Sequence, residues 1–370
     1  MDTSFLPFLL LADTLGLLLG IALLRIKGDP KKPLKDFLLW IGYGLLLGLF
    51  QALVFRSLFQ SRFAVFRAWT HDLSCVLLPL LAWRSLLWVR ASVLGTLGLL
   101  LFLGAEATYI YAKEVAPFDL EVVHHQVPCP GLDHRVRVLA LADLQCEAIG
   151  PYEKRVFAKI RSLRPDLILL LGDYLQVQGE TFARERLNLL KELANLAPTL
   201  GIYALEGDAD EAGLSLKGSG IPILRDQARI LPKEPQLALL GLRRWTSRKP
   251  LTESDLAPLR DFKGQILVLG HAPDFMNSLI RAQLQKTCQA PLLCLAGHTH
   301  GGQIQIPGFG PLITLSSVPR DIAAGGLFQR GTATLIVSRG VGVERGYAPR
   351  VRLFCRPELT VVDLLPKKKG

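Results

Sequence analysis

His298 and His300 stand one residue apart in the stretch LCLAGHTHGGQIQ, 293–305, with Gly297 before them and Gly301 and Gly302 behind. Two imidazoles at the end of an apolar run, with so little bulk around them, suit ligation of a metal ion. Four other polar residues occupy the same kind of place. Asp143 ends VRVLALAD, Asp173 ends DLILLLGD, Asp208 ends GIYALEGD and His271 ends QILVLGH. One Asp at a strand end is ordinary turn chemistry. Five strand ends in order, offering only carboxylates and imidazoles, exceed what turns require. Converging carboxylates repel one another unless a cation lies among them. Asp and His together suit a borderline or hard divalent ion such as Mn, Fe or Zn.

The elements that would position these groups are short runs of β-branched residues and leucine, the pattern of buried strands. Between them, YEKRVFAKIRSLR (152–164) and TFARERLNLLKELANL (181–196) carry apolar residues at helical spacing. Strand–helix alternation from residue 135 onward predicts an α/β domain with a largely central sheet. In such domains the ligand site forms beyond the carboxyl ends of the strands.

The 370 residues are half hydrophobic, and the excess lies before residue 113. Apolar runs at 4–24, 37–55, 73–89 and 91–112 predict about four transmembrane helices, or three if 73–112 holds one span and an interfacial helix. A lone cleaved signal peptide would have a single short run. The first and third connecting loops carry seven Lys/Arg, against four for the second loop together with Lys113. With four spans, the positive-inside rule puts both chain ends, and so the globular domain, outside the cytoplasm, as in a multi-pass membrane protein. The expected organisation is a membrane domain over 1–112, a linker over 113–134 holding His124 and His125, a globular domain over 135–365 and a basic tail over 366–370.

The formal charge of +11 is scattered apart from Lys367–Lys369, which fits solubility and anionic lipid head groups. A nucleic-acid partner would need a dense basic stripe, and none is visible. The six cysteines show no CxxC or paired spacing, so Cys75, Cys146, Cys294 and Cys355 read as buried thiols.

From residue 134 to 365 the ordered blocks LLLGDY, LVLGHAPD and GHTHGGQ, with VSRGVG at 337–342, resemble the calcineurin-like metallophosphoesterase superfamily, above all its membrane-tethered bacterial branch. The resemblance implies a four-layer α/β/β/α sandwich and two divalent metal ions. One metal would be held by Asp143, Gln145, Asp173 and His300. The other would be held by Asp173 as the bridge, Asp208, His271 and His298. It further implies hydrolysis of a phosphoester by a hydroxide bridging the ions, with no covalent enzyme intermediate. The partners it implies are a phosphoester substrate, lipid-linked in some relatives, and membrane lipids.

Two blocks depart from the family pattern. ADLQ has Gln145 in place of His, a weaker donor that certain manganese-dependent pyrophosphatases of the superfamily share. LEGDADE has Asp208 in place of Asn, and Ala209 in place of the His that protonates the leaving group. Loss of a general acid costs on the order of 10²–10⁴-fold, least where the leaving group is itself a phosphate. The sequence therefore leaves two readings: a phosphodiesterase or pyrophosphatase, and a catalytically weakened or inactive membrane scaffold of the same fold.

Overall fold

A computed structural model describes residues 33–59 and 93–366, apart from 211–212, 245–250, 278, 315 and 346–347, together with a few isolated earlier positions. The chain divides into two units, residues 1–115 with 344–350 and residues 116–343 with 351–370.

In the first unit, helix α1 (Pro33–Phe59) contains the expected span 37–55. Helix α2 (Val93–Ile110) covers most of the expected span 91–112. The expected spans at 4–24 and 73–89 lie outside the described residues, isolated positions aside. Among the described residues no helix is long and apolar enough to cross a membrane, so the predicted transmembrane segment has no support from these helices. Both helices nonetheless expose large apolar side chains, including Leu46, Leu49, Leu53, Leu100 and Leu101.

The second unit holds two sheets. The first has the order β1-β13-β2-β3-β4. Its strands are β1 (Glu121–Cys129), β2 (Val136–Leu141), β3 (Leu167–Leu170), β4 (Ile202–Ala204) and β13 (Glu358–Pro366). The second has the order β11-β12-β8-β7-β6-β5. It is built from β5 (Gln227–Leu231), β6 (Glu234–Gly241), β7 (Gln265–Leu269), β8 (Leu292–Ala296), β11 (Gly326–Arg330) and β12 (Ala333–Val337). A small hairpin, β9 (Gln305–Ile306) with β10 (Gly310–Pro311), lies between β8 and β11 in sequence.

Successive side chains of a strand point to opposite faces. In β7, Leu267 and Leu269 join a core packed between the sheets with Val138, Leu169 and Val362 of the first sheet. Ile266 and Val268 face the other way, onto Ile280 and Leu284 of helix α5 (Leu279–Thr287). The outer face of the first sheet is covered by Val156, Phe157 and Ile160 of helix α3 (Pro151–Leu163) and by Leu189 and Leu193 of helix α4 (Gly179–Ala194). The layers are therefore helix, sheet, sheet, helix. This is the four-layer order that the family resemblance implies; strand–helix alternation alone predicts only a largely central sheet. The two long amphipathic helices both pack on one sheet, so that sheet's other face is buried by a second sheet.

The stretch 113–134 is not a plain linker either. Val127 and Cys129 are buried, and β1 pairs in parallel with β13 at the sheet edge, carrying His124 and His125 into the fold. Cys129, Cys146, Cys288, Cys294 and Cys355 are buried free thiols; Cys75 lies outside the described residues.

Candidate metal centre

The carboxyl ends of β2, β3, β4, β7 and β8 carry Asp143, Asp173, Asp208, His271 and His298 with His300, so the two sheets each supply part of one site. The backbone at these ends is unusual. Asp143 (φ 50°), Gln145 (41°), Asp173 (57°), His298 (68°) and His300 (48°) all adopt the left-handed region. Non-glycine residues held there cost about 1–3 kcal/mol each and cluster at functional sites. The turns are fixed by bonds beyond the strands. Asp143 N–H donates to Gly172 O (3.1 Å) and Gln145 N–H to Asp173 O (2.8 Å).

The sheets are tied together through the site. The Asp143 carboxylate accepts from the backbone N–H of His298 at 2.9 and 3.1 Å. His271 Nδ1 lies 2.9 Å from Leu171 O. A carbonyl only accepts, so Nδ1 carries the proton and Nε2 keeps its lone pair, the arrangement of a metal-binding histidine. That Nε2 is 3.5 Å from Asp173 Oδ2 and 3.2 Å from His298 Nδ1. His298 Nδ1 in turn lies 3.3 Å from Asp208 Oδ2. Two donor groups result, Asp143/Asp173/His271 and Asp208/His271/His298, each with its ligand atoms within 4.8 Å of one another.

The second group gathers three of the residues expected for one metal, Asp208, His271 and His298. The first gathers Asp143 and Asp173 but takes His271 where His300 was expected, and His300 lies in neither group. His300 is buried under the turn, where its carbonyl accepts from the Cys355 thiol at 3.3 Å. Gln145 is buried beside Asp173. Ala209 contributes its backbone alone, donating to Asp173 Oδ1 at 2.7 Å.

The electrostatics fit cations. Burial lowers the pKa of His271 and, with the Arg352 guanidinium, pushes that of His300 well down, so both rings are neutral and able to ligate. Burial raises the carboxyl of Asp173, and the charge of Asp208 adds to it. Space fits too. A Cβ on Gly207 would stand 2.1 Å from Asp173 Oδ1, so glycine lets the β4 turn close over that carboxylate. Neutral imidazoles, the buried carboxylates of Asp143 and Asp173 and the exposed one of Asp208 make a donor set suited to divalent ions.

No protein-family model matches the chain. The uncharacterized metallophosphoesterase YkuE of Bacillus subtilis (strain 168) is 28% identical over 276 residues, covering 71% of this chain and 91% of its own. Phosphodiesterase YaeI of Escherichia coli (strain K12) is 31% identical over 245 residues, covering 62% of this chain and 82% of its own. The chain belongs to the metallophosphoesterase family. UDP-2,3-diacylglucosamine pyrophosphatase LpxG of Chlamydia muridarum (strain MoPn / Nigg) is a further relative, 25% identical over 321 residues, 70% of this chain and 93% of that protein.

Two residues of this metallophosphoesterase site escaped the reading of the sequence. The buried Asp210 carboxylate accepts from Asp173 N–H (2.7 Å), Gly207 N–H (2.9 Å), Tyr174 N–H (3.1 Å) and the Ser215 hydroxyl (3.2 Å). It staples the ends of β3 and β4 together. Its signal was its place as the last residue of the block Gly207–Asp210, where the family pattern also carries Asp or Glu. Arg352 is fully buried and donates to the carbonyls of Arg339 (2.8 Å), Gly340 (3.1 Å) and Gly342 (3.0 Å). The loop it holds bonds back to the first sheet, Val341 N–H to Ala142 O (3.1 Å) and Gly342 N–H to Asp143 O (2.8 Å). The motif VSRGVG is thus the support of Asp143. Nothing in the spacing around Arg352 marked it.

Proposed function

We propose that this metallophosphoesterase hydrolyses a phosphodiester or pyrophosphate bond with two divalent ions, Mn, Fe or Zn, held by Asp143, Gln145, Asp173, Asp208, His271, His298 and His300. The observation that carries the reading is the pair of donor groups that share His271 across the two sheets. Bound there, the ions would activate water and clamp the charge of the reacting phosphoryl group.

The chain's own residues point to the bond that is cut. Ala209 has no proton to give. Arg244 instead brings its guanidinium against the Asp208 carboxylate at the edge of the site. A guanidinium stabilises negative charge but does not protonate a leaving alkoxide. That suits a leaving group that is itself a phosphate or an acidic alcohol. The names of the relatives YaeI and LpxG, a phosphodiesterase and a pyrophosphatase, agree with this choice.

We also propose that the N-terminal unit anchors the protein in a bacterial plasma membrane as a multi-pass segment, with the metallophosphoesterase domain on the extracytoplasmic side. The supports are the apolar runs of the sequence, its loop charges and the leucines exposed on α1 and α2. A lipid-linked phosphoester is the substrate that such an anchor favours. Fusion of a compartment-sensitive reporter to the C-terminus tests the side; a cytoplasmic signal overturns it.

The test of the activity is metal analysis of the purified chain, paired with hydrolysis of a chromogenic diester and monoester in Mn. About two ions per chain and a preference for the diester are expected. Less than one ion per chain with no turnover would leave the scaffold reading, which Gln145 and Ala209 favour. Turnover that survives Asp173→Ala would overturn the site. Ala209→His is expected to raise monoester turnover.

A further inference from the structure

β6 is a further strand that ends at the metal centre. It runs parallel to β7 with Gly241 opposite Leu269, and past that pair Leu242 N–H donates to Leu269 O at 2.8 Å. His271 follows Leu269 by two residues, and Arg243 and Arg244 follow Gly241 at the same level. The end of β6 also closes on the turn that leads to Asp208. A Cβ on Gly241 would stand 2.2 Å from Leu224 and 2.9 Å from Leu205. An arginine pair of the second sheet is thereby brought against a carboxylate of the first.

Asp226 decides which arginine reaches the site. Its carboxylate accepts from Arg243 N–H at 2.8 Å and lies 3.5 Å from Arg243 Nε, which holds Arg243 at the start of β5. Arg244 turns instead onto Asp208, with its Nε against Oδ1. The other oxygen, Oδ2, lies 3.3 Å from His298 Nδ1. The two oxygens of one carboxylate thus face a guanidinium on one side and an imidazole of the metal centre on the other. Asp143 and Asp173 are met differently, by the backbone N–H groups of His298 and Ala209. The charge of Arg244 is also felt deeper in the site, at Asp173 and His271, where it opposes that of Asp208.

The pair makes a poor staple for the fold. The Arg244 and Asp208 side chains are 31% and 41% exposed, and an ion pair so open to water adds little stability. Its weight falls on the metal centre. Three carboxylates offset most of the charge of two divalent ions, and a centre close to neutral attracts an anionic phosphoester weakly. A guanidinium on the outer oxygen of Asp208 gives one positive charge back, while Oδ2 still faces His298. We propose that Arg244 is a positioning residue that acts through Asp208. It holds the carboxylate with Oδ2 inward and offsets its charge, so the Asp208/His271/His298 group binds its ion more loosely and leaves it more electrophilic. The inference rests on the two-ion reading above and adds the residue that tunes one of the two ion sites.

The test titrates Mn alone into the full chain in lipid nanodiscs and follows the unbound ion by electron paramagnetic resonance. A charge this close shifts the binding of a proton by about 1–3 log units, so Arg244→Gln is expected to tighten Mn binding about tenfold or more. Arg244→Lys keeps the charge and is expected to bind Mn as the native chain does. In an Asp208→Asn background the Arg244→Gln change is expected to leave Mn affinity unchanged, because the carboxylate it acts through is gone. Melting temperatures of the native and Arg244→Gln chains are expected to agree. A lower melting temperature together with weaker Mn binding makes Arg244 a structural brace and overturns the proposal. Equal tightening in both backgrounds overturns the action through Asp208. Unchanged Mn binding with a raised KM for a chromogenic diester makes Arg244 a substrate ligand and overturns it as well. A native chain that takes up no Mn sinks the two-ion reading and this proposal with it, whereas native uptake indifferent to Arg244→Gln overturns this proposal alone.

Discussion

Asp210→Ala tests how the two strand ends are held together. The substitution removes an acceptor shared by three backbone N–H groups, those of Asp173, Tyr174 and Gly207, and by the Ser215 hydroxyl. All four bonds lie in the buried part of the site. A buried donor left without its acceptor costs about 1–3 kcal/mol, which over three amides sums to about 3–9 kcal/mol. Water entering the vacated space offsets some of that, so the lower end, about 3–5 kcal/mol, is expected. For a domain of this size each kcal/mol lowers Tm by about 2–4 °C, so Asp210→Ala is expected to melt on the order of 10 °C below the wild type. Ser215→Ala removes a single 3.2 Å bond, at about 1 kcal/mol, and is expected to shift Tm by no more than about 4 °C. Calorimetric melts of the full chain give both numbers, and Mn titration of the same samples gives the second readout. The turn that Asp210 holds carries Asp173 and Asp208, so Mn affinity is expected to drop about 10–100-fold in Asp210→Ala. Equal Tm values for Asp210→Ala and the wild type would refute the brace. Equal losses from Asp210→Ala and Ser215→Ala would refute the weighting of its bonds.

Gly207→Ala places a methyl where 2.1 Å separates it from Asp173 Oδ1. An overpacked site costs about 1–3 kcal/mol, so the chain is expected to fold while Mn affinity and diester turnover fall at least tenfold; near-normal turnover would contradict the close approach. Glu185 on α4 gives a pH dependence. The Asn188 amide, then the Ile149 N–H and the Arg184 guanidinium, hold its carboxyl down from 4.5 to about 2. A pKa lowered by folding adds stability above the unfolded value, and that stability is lost as pH falls from about 4.5 to about 2. Glu185→Gln is therefore expected to lower Tm at neutral pH and to flatten its fall in that window, measured by melts between pH 7 and pH 2.5; parallel acid limbs would count against the assignment.

The candidate ligands were legible because both faces of the strands are buried. The runs into Asp173 and His271 are apolar without interruption, and the run into Asp143 is so after Arg137, so the next polar residue marks where the strand leaves the core. Which strands share a sheet was not legible. QILVL and LLCLA in one sheet read no differently from LILL in the other, and pairing is decided by contacts far apart in the chain. The resemblance to a family, and not periodicity, carried the two-sheet expectation. Asp210 was hidden because it looks like one more surface acid in LEGDADE. Arg352 was hidden because arginine is rarely buried, and only the carbonyls of the 339–342 loop explain it. His124 and His125 were passed over as linker because alternation in EVVHHQVPC is broken by its polar centre.

The bond from His298 N–H to the Asp143 carboxylate joins residues 155 positions apart. Contacts of that separation form late, after the loop entropy between them has been met. During synthesis the strand ends at Asp143, Asp173 and Asp208 emerge well before the second sheet does. They are then three carboxylates without a histidine among them. The centre comes into being only when β8 docks and delivers His298, so a chain interrupted before about residue 300 folds, at most, into an inert half. Any binding of ions there would wait at least for β8, and the 339–342 loop that supports Asp143 and the β13 strand beside β2 are made later still.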